Sequence, residues 1–204
     1  MTSTLSVEEE AIIKTVRDFV DKQVRPVVWE LEHSNTYPED LIEQMKEMGI
    51  YGLAIPEPYG FAQVSMPCYA RVTEELARGW MSLAGAMGGH TVVAKLLLTF
   101  GTEEQKEKYL PRMATGEIRA TMALTEPGGG SDVGHLTTRA VREGDEYVLN
   151  GAKTYITSGV RADYVVTAAR TGGPGAAGVS LIVVDKGTPG FEVTRKLDKM
   201  GWRS

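Results

Sequence analysis

The 204-residue sequence predicts an α+β chain with helices first and strands after. Three observations carry that expectation. Apolar residues recur at helical spacing up to about residue 117. Beyond it, short β-branched runs alternate with turn residues. The two kinds of segment do not interleave as βαβ units would. The expected domains are therefore a helical one over 1–117 and a strand-built one over 118–204.

The first helix is expected to open at Ser6. Ser6 and Glu9 have the spacing of a capping box, and Glu8, Glu9 and Glu10 put negative charge at the positive end of the helix dipole. Ile12, Ile13, Val16, Phe19, Val20 and Val24 make one apolar face. Pro26 lacks an amide donor and should break or kink this helix. Further helices are expected over Glu39–Met48, with Gly49 as C-cap, over Pro67–Arg78 and over Met81–Phe100. A second capping box, Thr102 with Gln105, opens a helix to about Ala114. Tyr51–Gly60, with two prolines and two glycines, reads as a loop.

Strands are expected over Ile118–Leu124, Thr137–Arg142, Glu146–Leu149, Lys153–Thr157, Tyr164–Arg170, Val179–Val184 and Phe191–Arg195. Gly144-Asp145 and Asn150-Gly151 sit where tight hairpin turns belong. Thr171–Gly178 is rich in Gly, Pro and Ala and reads as a loop.

Composition narrows the function classes. A net charge of −5 with 42% hydrophobic and 24% charged residues suits a folded globular chain and argues against a nucleic-acid binder. Residues 1–117 are net −7 and residues 118–204 net +2, so an anionic ligand sits more comfortably on the second half. The single cysteine, Cys68, excludes an intramolecular disulfide and a cysteine-built zinc site. No membrane span is expected, the best apolar stretch, Val92–Phe100, being short and interrupted by Lys95. With no signal peptide legible in MTSTLSVEEE, the expected location is cytoplasmic.

Two segments could carry chemistry. Thr125-Glu-Pro-Gly-Gly-Gly-Ser-Asp132 follows an expected strand, and its glycines let backbone amides approach an anion, with Ser131 as a further donor. It matches neither the Rossmann fingerprint nor a P-loop, and a flexible β-turn is the plainer alternative. Tyr155-Ile156-Thr157 offers an aromatic face, an apolar side chain and a hydroxyl to a planar ring; ordinary strand packing is its plainer alternative. His33, His90 and His135 lack metal-ligand spacing, and no G-x-S-x-G elbow is present. Cys68 reads as a buried, inert thiol.

Taken together, these segments resemble the acyl-CoA dehydrogenase family of flavoproteins. Met122-Ala-Leu-Thr-Glu-Pro-Gly-Gly-Gly-Ser-Asp132 is similar to that family's flavin-contacting signature. Tyr155-Ile156-Thr157 stands where the family usually has Trp-Ile-Ser/Thr. Gly101-Thr-Glu-Glu-Gln-Lys-Glu-Lys-Tyr-Leu-Pro111 with Gly116-Glu117, the Asn150-Gly-Ala-Lys153 turn and Lys196-Leu-Asp-Lys-Met-Gly201 fit in order and spacing.

The resemblance implies an N-terminal all-α subdomain followed by an antiparallel β-barrel-like domain, with the family's C-terminal helical bundle absent. It implies FAD as cofactor, bound by Met122, Leu124, Thr125, Gly130, Ser131, Tyr155, Ile156 and Thr157, with Ser131 also meeting the acyl-CoA substrate. The reaction implied is α,β-dehydrogenation of acyl-CoA thioesters to 2-enoyl-CoA in fatty acid metabolism, with electrons passed to an electron-transferring flavoprotein. A homodimer or homotetramer is implied for the full-length form. No residue is assigned as catalytic base, because the family's base lies beyond the segment that ends at Ser204. A flavin monooxygenase or nitroalkane oxidase relative, or a cofactor-free binding protein, are the alternatives on the same fold. His135 replaces a small residue of the signature, and Tyr59-Gly60-Phe61-Ala62 replaces the usual Tyr-Gly-Gly-x-Gly.

Overall fold

The computed structural model describes residues 5–61 and 63–203. The chain divides into two compact units, Met1–Ile118 with Leu197–Ser204, and Arg119–Lys196.

The first unit is helical. Helix α1 (Val7–Phe19) opens with both bonds of the expected capping box: Glu9 N–H donates to Ser6 Oγ at 3.2 Å, and Ser6 N–H to Glu9 Oε2 at 3.0 Å. The other Glu9 oxygen accepts from Ser65 N–H at 2.7 Å, so one carboxylate ties the starts of two helices together. At Val20–Val24 the helix widens to i→i+5 bonding, with Arg25 N–H donating to Val20 O, and the turn ends at Pro26. A short α2 (Val28–His33) follows, which the periodicity did not suggest. Helix α3 (Glu39–Glu47) stops at Gly49, whose φ of 71° is the left-handed cap conformation glycine accepts without a Cβ clash.

Helix α4 (Met66–Gly79) lies against α1 and against the widened turn, where a Cβ on Gly79 would come within 2.6 Å of Val20 Cγ1. Helix α5 (Met81–Phe100) runs for 20 residues. By length and composition it is long enough to cross a bilayer, unlike the nine-residue stretch considered from sequence. Its buried residues include Leu83, Met87, Val93 and Ala94, and it packs between α4 and α6 (Glu103–Ala114). The second capping box, Thr102 with Gln105, forms as expected. The α1 face faces inward: Ile13, Val16, Phe19, Val20 and Val24 join Ile42, Met45, Leu76 and Leu83 in one buried cluster. Against α5, the residue Trp202 lays its indole over Gly85, where any Cβ would collide with the ring.

The second unit is a mixed, open sheet, which corrects the antiparallel barrel-like expectation. Its strands are β1 (Ala120–Ala123), β2 (Arg139–Glu143), β3 (Glu146–Asn150), β4 (Tyr164–Arg170) and β5 (Val179–Asp185). Strand β4 is central and its first six residues are buried. Along one edge β5 pairs antiparallel over its whole length. Along the other, β1 pairs parallel, Ala120–Ala123 against Tyr164–Thr167, and β2 joins parallel at Arg139–Arg170. Strands β2 and β3 form the expected hairpin, with Gly144 at φ 65°. Among the described residues no strand joins β3 to β5, so the sheet is open.

Two expected strands do not form. In 153–157 the backbone of Tyr155 turns left-handed (φ 56°), as does that of Ser158 three residues on (φ 58°), and neither can continue a ladder. Residues 191–195 carry no strand pairing.

In the first unit the most concentrated polar contact is at Glu75. Its buried carboxylate accepts from Arg17 Nη2 at 2.6 Å and from Arg78 Nε at 2.9 Å, and Arg78 reaches Asp21 at 2.9 Å. The bond from Arg17 holds the Glu75 carboxyl below its ordinary pKa, helped by Arg78 and opposed by burial. Glu75→Ala leaves Arg17 without its carboxylate, while Arg78 keeps Asp21. The expected loss is about 1.5–3 kcal/mol, read as a lowered urea midpoint with unchanged slope.

Candidate functional site

The edge of β4 shared by β1 and β2 sets the geometry of the glycine-rich segment. The chain leaves that edge after Ala123, makes an excursion over residues 124–138, and returns to the same edge where Arg170 N–H donates to Thr138 O at 2.7 Å. The excursion starts with a closed turn: Glu126 N–H donates to Gly129 O at 3.0 Å and Gly129 N–H to Glu126 O at 3.1 Å. The Glu-Pro-Gly-Gly segment is thus a pinned turn, and the excursion is tied at its neck.

Glu126 makes the tie. Its Oε2 accepts from Thr137 N–H at 2.7 Å and Thr137 Oγ1 at 2.6 Å, and its Oε1 accepts from Thr138 N–H at 2.8 Å and Lys153 Nζ at 2.9 Å. Lys153 also donates to Leu124 O at 3.1 Å. Both side chains are buried, at 6% and 10% exposure, so the pair is shielded from solvent. Burial by itself pushes a carboxyl pKa up, but the bonds from Thr137, Thr138 and Lys153 together outweigh it and hold Glu126 far below its ordinary value of 4.5. Gly151 carries the chain across Thr138 at a distance that leaves no room for a Cβ, which brings Lys153 to the neck. Asn150-Gly151 is therefore a close crossing, and no hairpin forms there.

The residues singled out from sequence gather on both sides of this neck. Met122 lies in β1 between buried Thr121 and buried Ala123 and is half-buried. Leu124 and Thr125 follow, and Thr125 O accepts from Thr154 N–H at 2.9 Å. Gly130 comes back against Thr125: a Cβ there would touch Thr125 Cγ2 at 3.1 Å and Oγ1 at 3.4 Å. Gly130 and Ser131 are exposed. Tyr155 is 68% exposed. Ile156 packs on the small apolar cluster of Ala123, Ala162 and Val165. The carbonyl of Thr157 accepts from Thr121 Oγ1 at 2.7 Å. Through Thr125–Thr154 and Thr121–Thr157, the segment 154–157 is fastened to β1 and to the start of the glycine-rich turn.

This arrangement leaves donors available. Among the described residues, nothing bonds the hydroxyls of Thr125, Ser131 or Thr157, and the amides of Gly130 and Ser131 make no backbone bond. A run of open amides beside hydroxyls and an exposed aromatic ring fits a ligand with a phosphate portion and a planar polar ring.

Glu126, Lys153, Thr121, Thr137 and Thr138 were not expected to matter. Glu126 and Lys153 stand inside the motifs quoted from sequence. No spacing rule joins two residues 27 apart, so only the fold shows their pairing. Cys68 is buried, its thiol pushed up first by burial and then by Glu9, which keeps it protonated and unreactive. His90 is buried, with Nε2 at 3.1 Å from Met113 O and its ring edge-on to Tyr51.

Comparison with known proteins agrees with this architecture. The N-terminal domain model of acyl-CoA dehydrogenases matches residues 6–117, and the middle domain model matches residues 121–204. The chain belongs to the acyl-CoA dehydrogenase family. An acyl-CoA dehydrogenase of Bacillus subtilis (strain 168) is 39% identical over 196 residues, which are 95% of this chain and 52% of that protein. The crystal structure of a putative acyl-CoA dehydrogenase from Mycobacterium smegmatis is 50% identical with a TM-score of 0.90, covering 98% of this chain and 53% of that one. A glutaryl-CoA dehydrogenase from the same organism, solved in complex with FADH2, is 31% identical with a TM-score of 0.89, covering 98% of this chain and 51% of that one. The chain thus spans about half the length of the relatives it matches.

The depressed pKa of Glu126 gives a pH dependence of definite sign. The folded chain binds this proton more weakly than the unfolded chain, so the stabilisation is complete above about pH 5 and drains away as pH falls below the ordinary carboxyl value. Urea midpoints measured from pH 7 to pH 3 should fall, and Glu126→Gln should start lower and fall less steeply. Glu126→Ala, which strands Lys153, should cost about 3–5 kcal/mol at pH 7.

Proposed function

We propose that this chain forms the FAD-binding part of an acyl-CoA dehydrogenase that converts acyl-CoA thioesters to 2-enoyl-CoA and passes the electrons to an electron-transferring flavoprotein. The observation that carries the reading is the set of open donors described above: two amides and three hydroxyls fastened around one neck, beside an exposed tyrosine. Family membership and the FADH2 complex of a relative support the identity of the ligand.

In this reading Gly130 and Ser131 hold the diphosphate through their amides. Small or absent side chains there let the backbone come close. Met122, Leu124 and Thr125 border the flavin, with the Thr125 hydroxyl donating to it. Tyr155 offers its ring face, Ile156 closes the apolar side and the Thr157 hydroxyl bonds near the reactive edge. Ser131 also meets the acyl-CoA. Bound FAD supplies the hydride-accepting chemistry, and the chain supplies position and polarity. The α-proton is removed by a carboxylate that we assign to no residue among these 204. The assembly proposed for the full-length enzyme is a homodimer or homotetramer in the cytoplasm.

Titrating the chain with FAD should quench flavin fluorescence, and Tyr155→Ala should weaken that binding about tenfold, as expected for loss of one stacked ring. An unaltered flavin signal on mixing would overturn the reading. Octanoyl-CoA added to the FAD-loaded chain should leave the flavin colour unchanged; bleaching would place a base inside these residues.

A further inference from the structure

The second unit carries a concavity of about 320 Å3 beyond the neck, lined by His135, Arg139 and Arg170 and by the glycines of residues 172–175. No carboxylate lines it. Its donor groups differ in kind. Arg170 is half-buried, and its guanidinium gives every contact to backbone carbonyls: Nε to Leu136, Nη1 to Gly173 and Gly175, Nη2 to Gly134 and Leu136. Its donors are used up, its charge is not, since no carboxylate pairs with it among the described residues. The Arg139 side chain is exposed and makes no hydrogen bond or ion pair among the described residues. His135 gives Nδ1 to Asp132 at 2.7 Å, and Nε2 has no partner among the described residues.

Arg139 and Arg170 are direct register partners on parallel strands. Like charges placed opposite one another in a sheet oppose pairing. An anion held between them removes that cost and gains charge-assisted bonds from Arg139. A phosphate monoester gathers close to two negative charges on one phosphorus, where a diphosphate diester spreads its two over a pair, so the monoester better answers two guanidinium groups at one point.

We propose that Arg139, with His135 and the fixed charge of Arg170, forms a subsite for a phosphate monoester, which on the acyl-CoA reading above is the 3′-phosphate of coenzyme A. The subsite distinguishes free coenzyme A esters from thioesters on carriers that lack this phosphate. It involves none of the residues proposed to hold FAD.

Calorimetric titration of the chain with octanoyl-CoA and with octanoyl-3′-dephospho-CoA tests this. The phosphorylated ester should bind about tenfold tighter, the contribution expected of one charge-assisted contact. Arg139→Ala should bring the two esters within about twofold of each other, and Arg139→Lys should keep most of the preference. The Arg139 side chain is exposed and unpartnered, so neither variant should lower the urea midpoint; Arg139→Lys should keep it, and Arg139→Ala, which removes a like-charge neighbour of Arg170, should raise it slightly. Adenosine 3′,5′-bisphosphate should compete for the subsite, and di(adenosine-5′) diphosphate, whose diphosphate is esterified at both ends, should not. Equal binding of the two esters by the unaltered chain would overturn the subsite and leave the acyl-CoA reading standing. So would a preference that survives Arg139→Ala, or competition by di(adenosine-5′) diphosphate equal to that of the bisphosphate. Failure of both esters to bind would instead overturn the acyl-CoA reading on which the subsite rests.

Discussion

The buried carboxylate of Glu126 is the point on which the second unit turns. A glycine-rich segment has little side-chain packing of its own and a large conformational entropy to lose. Here the order comes from its two ends. One carboxylate receives two backbone amides and a hydroxyl from the returning end, and an ammonium from a third segment. The glycines between are left free to present amides because they do not have to hold themselves in place. A buried ion pair is a poor source of net stability, and its value here is specificity of register. It fixes where the excursion leaves β4 and where it comes back.

The helical half was legible because local rules decide it. Both capping boxes form with the expected partners, and α5 spans the expected residues. The break at Pro26 was foreseen, though its form, a widened turn ending in a short α2, depends on packing against Gly79. Strand β4 was also found to the residue, since a continuous apolar run between turn signals leaves little choice. What local pattern could not reveal was direction. The antiparallel expectation rested on the family resemblance, whereas β1 and β2 meet β4 in parallel through connections too long for any turn rule to cover. The same limit hid the Glu126–Lys153 pair.

The segment 153–157 shows the opposite failure. Its residues favour extended structure, and the expectation of a strand was reasonable on propensity alone. Tertiary bonds override it. Thr154 is held by Thr125, Thr157 by Thr121, and Ile156 by the apolar cluster under β4. Three anchors on a five-residue stretch leave the backbone between them no straight path. Sites assembled this way draw their shape from several distant parts of the chain, which is why a tripeptide reading could name the residues and miss their conformation.

That conformation has a consequence for how this protein would respond to selection. A tyrosine held at φ 56° carries roughly 1–2 kcal/mol of backbone strain, and its ring, mostly in solvent, returns little of that to the fold. Glycine or asparagine at position 155 would relax the chain and raise its melting temperature while erasing the aromatic face. Libraries sorted for thermal resistance alone would therefore enrich for chains that have discarded the feature this corner of the molecule is built to display.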